Sequence, residues 1–500
     1  MFDGGQMKLI NILNGLNNYK IKGNQELEIA NIANDSRKVT PNSLFVAIRG
    51  YNFDGHDFIA EAIKNGAIAV MLDMSADLRK VTLPQGITVV IIQDTRLALA
   101  ISSCNFYGNP SRYFKLIGVT GTKGKTSTTF MIKSILEKAG KRVGLIGTIQ
   151  NYIGDQVIEK TDNTTPESID LQRMFYQMAR ARCEYVVMEV SSQSLKLNRV
   201  AGTYFDYGIF TNFNPNHISK NEHENVDDYF NSKLRLFTMC KYGVVNFDDF
   251  KGIKIFNTIN NCEFSTYSVD NSSDFIAKDI TITNATVDFK VKLDGINERI
   301  KVNIPGRYSV YNALAAIAFA KKENITADII KQAMLELVIP GRNENIPNDK
   351  ELAIMIDFAN TPESLEGLLK ATKTYTKGDI ICVFGCEGDC DTSKREKMGE
   401  ISGRNAALTI ITSNNPRNED PNQIIEQVKK GMAKTKGKFL VIPDREKAIA
   451  EAIRLMNRRD IVIIAGKGHN KFDEVKGEKI PFDEREIAAK YIALKKAPKK

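Results

Sequence analysis

The sequence has 500 residues, of which 42% are hydrophobic and 26% are charged, and its formal net charge is +9. This length predicts about three folded domains of roughly 100–200 residues each. No apolar run approaches the roughly 18 residues that a membrane helix needs, so we expect no membrane insertion.

The first segment, residues 1–114, is predicted to mix strands and helices. The short strand-like runs are "LFVAI", "IAVML" and "ITVVII". The opening residues, "MFDGGQMKLI", lack the basic and then apolar order of a signal peptide. The seven cysteines, an odd number, favour reduced thiols, so we expect a cytoplasmic protein.

The second segment, residues 115–340, opens with a glycine-rich loop, "IGVTGTKGKTSTT". The run "FKLIGV" before the loop is typical of a buried strand, and Ile132, Ile135 and Leu136 after it fall at helical spacing. This order directs backbone N–H groups and a helix N-terminus at an anion. The usual phosphate-loop pattern has glycine where this chain has Val119. A structural turn with a solvated lysine therefore remains as the alternative.

Within this loop, Lys125 is predicted to reach the outer phosphates of a nucleotide, and the Thr126 hydroxyl is predicted to hold Mg²⁺. Further along the segment, "YVVMEV", "YGIFTNF" and "YGVVNF" are predicted to be buried strands of an α/β sheet.

The third segment, residues 341–500, begins at the break marked by Pro340 and Gly341. Its runs "AIMIDF", "DIICVFG", "LTIIT", "KFLVI" and "DIVIIAG" alternate with helical patterns, which is the rhythm of a doubly wound parallel sheet. Its "GCEG" turn lacks the dinucleotide fingerprint, so we expect no NAD. Cys382 falls in a strand whereas Cys386 and Cys390 fall in a loop, so these residues do not share a helix face and a metal there is not favoured.

The positive charge is concentrated at the end of the chain. Four of the nine excess charges are lysines within the last six residues, which we expect to form a solvated tail. RNA-binding aromatic signatures and zinc spacings are missing from the sequence. We therefore expect a small phosphorylated or carboxylated substrate and no nucleic-acid partner.

Taken together, these motifs resemble the Mur ligases, the ATP-dependent enzymes that build the peptide stem of the bacterial cell wall. The family's loop, Thr-Gly-Thr-x-Gly-Lys-Thr, matches Thr120 to Thr126, with Lys123 where asparagine is usual. The likeness covers all three segments and is greatest to the branch that adds the third residue of the peptide. It implies a UDP-substrate domain over residues 1–114, a central ATP-binding ligase domain over 115–340 and a C-terminal, Rossmann-like amino-acid-binding domain over 341–500.

The resemblance implies an ATP site and a magnesium site. The implied ATP-binding residues are Gly121, Thr122, Lys123, Gly124, Lys125, Thr126, Ser127, Asn312, Arg342 and Asp357. The implied catalytic residues are Lys125, His217 and Lys233. The implied Mg²⁺ ligands are Thr126, Glu189, His217 and, if it is carbamylated, Lys233.

The residues themselves give partial support to this assignment. Glu189 ends a predicted buried strand, where a carboxylate without a cation or basic partner would be costly. Without the resemblance, Lys233 is interpreted as a solvated helix lysine and His217 as a loop residue. The chain also departs from the family's pattern, because Asn216, Ser219, Phe358 and Asn360 replace two aspartates, a tyrosine and a histidine.

The implied UDP-substrate residues come from three motifs. They are Ser36 of "NDSRK", Asn163, Thr164 and Thr165 of "DNTTPES", and Ser191 and Arg199 of "MEVSSQSLKLNRV". Without the resemblance, the threonine pair is interpreted as a turn or helix cap before Pro166.

The implied amino-acid pocket departs most from the family. Its residues are Asn414, Asn415, Arg417, Gly466 and Asn470. Members that add meso-diaminopimelate have aspartate at the position of Asn414, arginine at that of Cys390 and glutamate at that of Asn470. Arg417 retains the means to bind a carboxylate in a bidentate manner, which argues against the lysine-adding members. Three charged positions have become neutral, so the amino acid stays open.

The resemblance implies a monomeric ligase that uses ATP and Mg²⁺. Its leading amino acid is meso-diaminopimelate, added to UDP-N-acetylmuramoyl-L-Ala-D-Glu through an acyl phosphate. One alternative is a paralogue that joins a different amino acid or acceptor. Another is a catalytically impaired nucleotide-binding homologue. The folate-polyglutamating ligases share the central and final domains but lack a match to the first segment.

Overall fold

The structure is a computed structural model that describes residues 5–51, 53–76, 83–159, 163–215 and 222–495. It is α/β, and it divides into two compact units, one of Met1–Phe275 with Ala315–Ile325 and one of Ile276–Leu314 with Thr326–Lys500. Within the described ranges, none of the helices is both long and apolar enough to span a bilayer. The boundaries of the three expected domains stay a prediction.

The first unit begins with a five-stranded sheet. Its strands lie in the order Lys20–Lys22, Thr88–Ile92, Ala67–Asp73, Ser43–Val46 and Asn31–Ala33. Only the first pair is antiparallel, and the three predicted runs form three of the parallel strands. The remaining elements are the strand pair Met7–Lys8 and Glu28–Ile29, the α-helices Leu9–Ile12, Ile59–Lys64 and Thr95–Phe106, and the 3₁₀ turns Ser36–Lys38, Gly55–Phe58 and Pro110–Tyr113.

The larger sheet of this unit has nine strands and carries the predicted phosphate loop. Their order is Gln156–Val157, Tyr152–Ile153, Val143–Ile146, Tyr185–Glu189, Lys115–Thr120, Phe205–Phe210, Cys240–Asn246, Glu263–Ser268 and Phe275–Ile276. The six strands from Val143–Ile146 to Glu263–Ser268 are parallel, as the buried apolar runs predicted. The accompanying helices are Lys125–Lys138, Ser168–Arg180, Ser192–Lys196, Val226–Leu234, the 3₁₀ turn Arg235–Thr238, and Phe250–Thr258.

One carboxylate joins the amino ends of three adjacent strands of this sheet. The oxygens of Glu323 accept hydrogen bonds from Lys115 Nζ at 2.7 Å and from the hydroxyls of Tyr185 and Tyr207, both at 2.5 Å. Burial alone would raise the pKa of Glu323, but these hydrogen bonds outweigh it and lower the pKa. The Glu323 cluster therefore fixes the edge of the sheet opposite to the phosphate loop.

The second unit contains a six-stranded sheet. Its strands lie in the order Glu344–Asn345, Ala353–Asp357, Ile461–Ala465, Ile380–Phe384, Leu408–Ile411 and Lys438–Val441, and all but the first are parallel. Residues 461, 463 and 465 of one strand face a different hydrophobic cluster from residues 462 and 464. Because consecutive side chains point to opposite faces, helices cover both sides of the sheet. The predicted doubly wound sheet is confirmed.

The helices of this sheet are Pro362–Lys373, Ser393–Asn405, Pro421–Met432, Arg445–Leu455 and Glu484–Leu494. The unit also contains the antiparallel three-stranded sheet Lys278–Ile282, Val287–Leu293 and Ile296–Val302, the hairpin Phe472–Val475 and Glu478–Pro481, and the helix Ala327–Leu335. The helix Arg307–Lys322 begins in this unit.

Candidate active site

The predicted phosphate loop connects the strand Lys115–Thr120 to the helix Lys125–Lys138. Gly121 has φ +145°, and a Cβ placed on it would lie 1.9 Å from Thr211 Oγ1. Gly124 has φ +85° at the N-cap of the helix, whose first turn has neither a capping side chain nor an acidic residue. Such a helix end favours an anion, because its first N–H groups and the macrodipole are both positive.

Lys125 curls back over this loop. Its Nζ donates to the carbonyl oxygens of Gly121 at 3.0 Å and Thr122 at 3.2 Å. The Thr122 hydroxyl contacts Tyr229 OH at 3.0 Å, and Thr211 Oγ1 donates to the carbonyl of Lys123 at 2.6 Å. The alternative of a turn with a solvated lysine does not describe this geometry, because the lysine is bound by the loop itself.

Lys233 is the second lysine directed at the loop. It lies on the helix Val226–Leu234 and is only 1% exposed, so the interpretation as a solvated helix lysine is wrong. Its Nζ donates to Gly121 O at 2.9 Å and lies 4.5 Å from the ring centre of Tyr229. Burial, and then the charge of Lys125, lower the pKa of Lys233 well below its usual value. Among the described residues, no carboxylate forms an ion pair with it.

Glu189 lies at the same edge of the sheet and is buried. Its Oε1 accepts hydrogen bonds from Thr126 Oγ1 and from the backbone N–H of Thr148, both at 2.9 Å. Its Oε2 accepts from the Thr148 hydroxyl at 3.1 Å. All three donors are neutral, and over the described ranges no basic side chain pairs with this carboxylate. A buried carboxylate beside a hydroxyl is a donor set that fits Mg²⁺.

The other predicted metal residue lies outside this description. His217, with Asn216 and Ser219, falls in residues 216–221, which are not among the described residues. Within those residues, no three His, Cys, Asp or Glu side chains gather as a metal site. The described donors are therefore Thr126 and Glu189, and Thr148 is a neighbour that the sequence analysis missed although it follows the strand Val143–Ile146 at the same edge.

Three of the predicted UDP-substrate residues meet behind Glu189. The Thr165 hydroxyl donates to Glu189 O at 2.9 Å and accepts from the backbone N–H of Ser191 at 3.0 Å. Arg199 donates to Thr165 O at 3.2 Å and pairs with Glu167 at 2.7 Å, and burial lowers its pKa. The N-cap of the helix Ser168–Arg180 is Glu167, so the interpretation of the threonine pair as a helix cap is wrong.

The remaining UDP-substrate predictions are less clustered. Thr164 Oγ1 lies 3.1 Å from Thr148 Oγ1, within hydrogen-bond distance. Ser36 lies beside the five-stranded sheet, where its hydroxyl donates to Glu61 at 2.9 Å. Asn163 is exposed. Thr164 therefore belongs with the residues around Glu189, whereas Ser36 is bound to the helix Ile59–Lys64 beside the five-stranded sheet.

In the second unit, Asp357 ends the strand Ala353–Asp357. Its carboxylate accepts the backbone N–H groups of Asn343 at 2.8 Å and Ala359 at 2.9 Å. Burial raises its pKa, an effect that the positive charge of Arg342 opposes without reversing. The Arg342 guanidinium lies 5.1 Å from the ring centre of Phe358. Asn312, on the helix Arg307–Lys322, is buried.

The predicted amino-acid residues lie where parallel strands of the second sheet end, the usual place for a ligand in such a fold. Asn414 Nδ2 lies 3.5 Å from Gly385 O, and Gly466 donates its N–H to Asp357 O at 3.0 Å. Asn415 Oδ1 accepts from Lys467 Nζ at 3.0 Å. The structure therefore gathers these residues at one edge.

Arg417 has acidic partners that the sequence analysis did not identify. Its Nε donates to Glu474 at 3.2 Å, and its Nη2 lies 3.5 Å from Glu387. Its Nη1 lies 3.3 Å from Gly388 O and 3.5 Å from Cys390 Sγ. We call this pocket, formed by residues 385–390, 414–417 and 466–474, the C-terminal pocket.

A second basic residue of the C-terminal pocket was also missed. Lys467 is fully buried and pairs with Asp473 at 2.7 Å, and burial lowers its pKa. Asn470 is held through its backbone N–H, which donates to Lys467 O at 3.2 Å. Asp473 balances the charge of Lys467. The hydrogen bond from Lys467 to Asn415 holds the Asn415 side chain in place.

Comparison with known proteins identifies the family. The models of the "Mur ligase family, catalytic domain", the "Mur ligase middle domain" and the "Mur ligase, glutamate ligase domain" match residues 28–107, 119–320 and 341–468. A UDP-N-acetylmuramoyl-L-alanyl-D-glutamate--2,6-diaminopimelate ligase of Caldanaerobacter subterraneus subsp. tengcongensis is 42% identical over 97% of this chain and 99% of its own. The protein is a Mur ligase.

Further relatives agree with the predicted resemblance. The ligase of the same name from Alkaliphilus metalliredigens is 44% identical to this Mur ligase, over 96% of this chain and 98% of its own. A solved structure of that kind of ligase has a TM-score of 0.70 and 26% identity, and the match covers 98% of this chain and 99% of the other. The predicted family, α/β architecture and ATP-dependent ligase class are confirmed.

Proposed function

We propose that this Mur ligase adds meso-diaminopimelate to the terminal carboxylate of UDP-N-acetylmuramoyl-L-Ala-D-Glu, the MurE-type reaction of cell-wall precursor synthesis. Relatives that carry the corresponding name align over nearly their whole length. The observation that carries the proposal is the convergence of Lys125 and Lys233 on the Gly121 carbonyl, with Lys125 on the same helix as Thr126 and its partner Glu189. We further propose a cytoplasmic monomer, and the unpaired state of the seven cysteines is consistent with a reducing compartment.

The first step is phosphoryl transfer. An oxygen of the acceptor carboxylate attacks the γ-phosphorus of ATP, ADP leaves, and an acyl phosphate forms. Lys125 and the N–H groups at the start of the helix Lys125–Lys138 stabilise the charge that develops on the phosphate oxygens. Thr126 and Glu189 fit as ligands of Mg²⁺, with His217 and Lys233 as the further ligands that the family implies. When bound, the ion supplies charge neutralisation to the phosphates.

Carbamylation of Lys233 is part of this proposal. The lowered pKa of Lys233 favours the neutral form of its Nζ amine, and a neutral amine adds to the carbon of CO₂ and releases one proton. The product is an anionic carbamate in place of the neutral amine. Burial of a lysine near the charge of Lys125, without an anionic partner among the described residues, supports this modification, because the carbamate would balance that charge.

The second step is amide formation. The amine of the incoming amino acid attacks the carbonyl carbon of the acyl phosphate, phosphate leaves, and the nitrogen gives up a proton. We assign the C-terminal pocket to the amino acid, with Arg417 directed to a carboxylate. We assign Asn312, Arg342 and Asp357 to the nucleotide, and Ser36, Asn163, Thr164, Thr165, Ser191 and Arg199 to the UDP-linked acceptor.

The test is phosphate release by the purified protein with Mg·ATP, bicarbonate, the UDP-linked acceptor and single amino acids. We expect release that requires both the acceptor and meso-diaminopimelate. Lys125→Ala should abolish it, whereas Lys138→Ala, at the other end of the same helix, should not. Phosphate release that does not depend on the acceptor, or none with any amino acid, contradicts the proposal.

A further inference from the structure

The C-terminal pocket has an excess of negative charge around Arg417, the residue that we assign to a carboxylate of the incoming amino acid. Two carboxylates, Glu387 and Glu474, lie around the one guanidinium of Arg417. The other two cations of the pocket are each balanced, Lys467 by Asp473 and Lys471 by Asp483. The thiol of Cys390 contributes no positive charge. The inference drawn from this balance rests on the proposed function, because it concerns the amino acid that the pocket selects.

Glu387 is the less satisfied of the two carboxylates. Its side chain is only 12% exposed. Its Oε1 accepts one hydrogen bond, from Asn415 Nδ2 at 3.2 Å. Its Oε2 accepts a weak hydrogen bond from the Cys390 thiol at 3.9 Å and lies 3.5 Å from Arg417, which is beyond a good hydrogen bond. A nearly buried carboxylate with such weak partners favours a further cation.

Arg417 is largely committed within the protein. Its Nε donates to Glu474, and its Nη1 faces the Gly388 carbonyl and Cys390 Sγ. A carboxylate arriving at Arg417 therefore competes with Glu387 and Glu474 for the same donors, and it meets their negative charge. The guanidinium is consequently a weaker carboxylate receptor than an arginine without acidic neighbours.

Asn414 gives an independent indication of what the pocket lacks. It is buried, and within the described structure its Oδ1 has no hydrogen-bond donor. Asn414 Oδ1 is a hydrogen-bond acceptor, so an N–H group of a ligand would satisfy it and a carboxylate oxygen would not. Asn470, at the position where diaminopimelate-adding members have a carboxylate, is neutral and lies two residues before the strand Phe472–Val475.

We propose that Glu387 recognises the distal ammonium group of the incoming diamino acid, and that this ammonium matters more to the enzyme than the distal carboxylate. Glu387 thereby takes the role that a glutamate at position 470 would have. The substrate class is an α-amino acid with a second amine at its far end. An amino acid that keeps this amine but lacks the distal carboxylate is a substrate, and one that keeps only the carboxylate is rejected.

Two amino acids separate these groups, because each is meso-diaminopimelate without one of them. L-Lysine keeps the distal amine, and L-2-aminopimelate keeps the distal carboxylate. We expect kcat/KM with L-lysine to exceed that with L-2-aminopimelate by at least about tenfold, the effect of one charge-assisted hydrogen bond. Glu387→Gln, which preserves shape, should remove this preference by raising the KM for L-lysine and leaving the KM for ATP unchanged.

A second variant, with the opposite expected effect, keeps the test decisive if Glu387→Gln does not fold. Cys390→Arg adds a cation beside Arg417 and should raise kcat/KM for L-2-aminopimelate while lowering it for L-lysine. The inference is overturned if the unaltered protein uses L-2-aminopimelate better than L-lysine. It is also overturned if a folded Glu387→Gln variant keeps the preference for L-lysine.

Calorimetric binding of the same two amino acids, in the presence of a non-hydrolysable ATP analogue, distinguishes this inference from the proposed function. Binding of L-lysine but not of L-2-aminopimelate, with no turnover of the UDP-linked acceptor, supports the role of Glu387 and refutes the proposed reaction. Binding in the opposite order overturns the role of Glu387, whatever the turnover.

Discussion

Replacement of Gly121 by alanine tests the phosphate loop most directly. The residue has φ +145°, and a Cβ there would lie 1.9 Å from Thr211 Oγ1 and 3.1 Å from both the backbone nitrogen and oxygen of Asn212. Rotation of Thr211 relieves the first contact but breaks its 2.6 Å hydrogen bond to the carbonyl of Lys123. The backbone contacts with Asn212 remain, so the loop itself has to move.

The size of the effect follows from these contacts. The unfavourable backbone conformation costs about 1–3 kcal/mol. The lost hydrogen bond costs about 0.5–1.5 kcal/mol. A total cost of about 1.5–4.5 kcal/mol for adopting the loop geometry that binds phosphate weakens nucleotide binding about 10- to 2,000-fold.

The assay is calorimetric titration of Gly121→Ala with ATP and Mg²⁺, with Gly140→Ala as the matched control. Gly140 also has positive φ, at +76°, but a Cβ there meets nothing within 4 Å. The control should therefore lose about 1–2 kcal/mol in the free energy of unfolding and keep its ATP affinity. Equal ATP affinity of the two variants would show that the loop contacts do not govern nucleotide binding, and the reasoning would be refuted.

Three further predictions concern single side chains. Lys233→Met should lower kcat about 10²- to 10³-fold and remove stimulation by bicarbonate. In the unaltered protein, the ¹³C NMR signal of the carbamate should weaken as the pH falls through the lowered pKa of Lys233, because the protonated amine does not react with CO₂. Thr126→Val should raise the Mg²⁺ concentration for half-maximal activity about 10- to 100-fold, and an unchanged Mg²⁺ requirement would exclude Thr126 as a ligand. The buried Arg395 holds the pKa of Glu419 at about 2, below its usual 4.5, so this ion pair stabilises the fold above pH 4.5 and is lost as pH falls toward 2. Glu419→Gln should therefore reduce the free energy of unfolding in urea by about 1.5–3 kcal/mol at pH 7, and the difference from the unaltered protein should shrink at low pH.

The strands were predictable because apolar runs mark burial on both faces, but their positions in the sheet were not. The run "KFLVI" forms the edge strand Lys438–Val441, whose four residues are all exposed. Hydrophobicity alone does not separate an edge strand from a central one. The alternating strand Val287–Leu293, with residues 287, 289, 291 and 293 buried, has a clear period of two and was nevertheless overlooked.

For the site, contiguous motifs were predictable and contacts between distant segments were not. The loop around Gly121 is readable from its own spacing, because strand, turn and helix follow one another in the chain. The burial of Lys233 depends on a helix more than a hundred residues away from the loop. Likewise, the acidic neighbours of Arg417 come from a separate turn and a separate hairpin. The sequence analysis therefore considered Arg417 without these two carboxylates, and its role as a carboxylate contact stays a prediction.

The cluster around Glu323 has a consequence for how accurately the enzyme works. The strand Lys115–Thr120 starts at this cluster and ends at the phosphate loop, about 20 Å away for six residues of extended chain. Tyr185 starts the neighbouring strand that ends at Glu189. Slippage of either strand against the other would shift Glu189 relative to Thr126. Glu323, at the edge of the sheet opposite to the phosphate loop, therefore helps to keep Thr126 and Glu189 in register through the two strands that it joins.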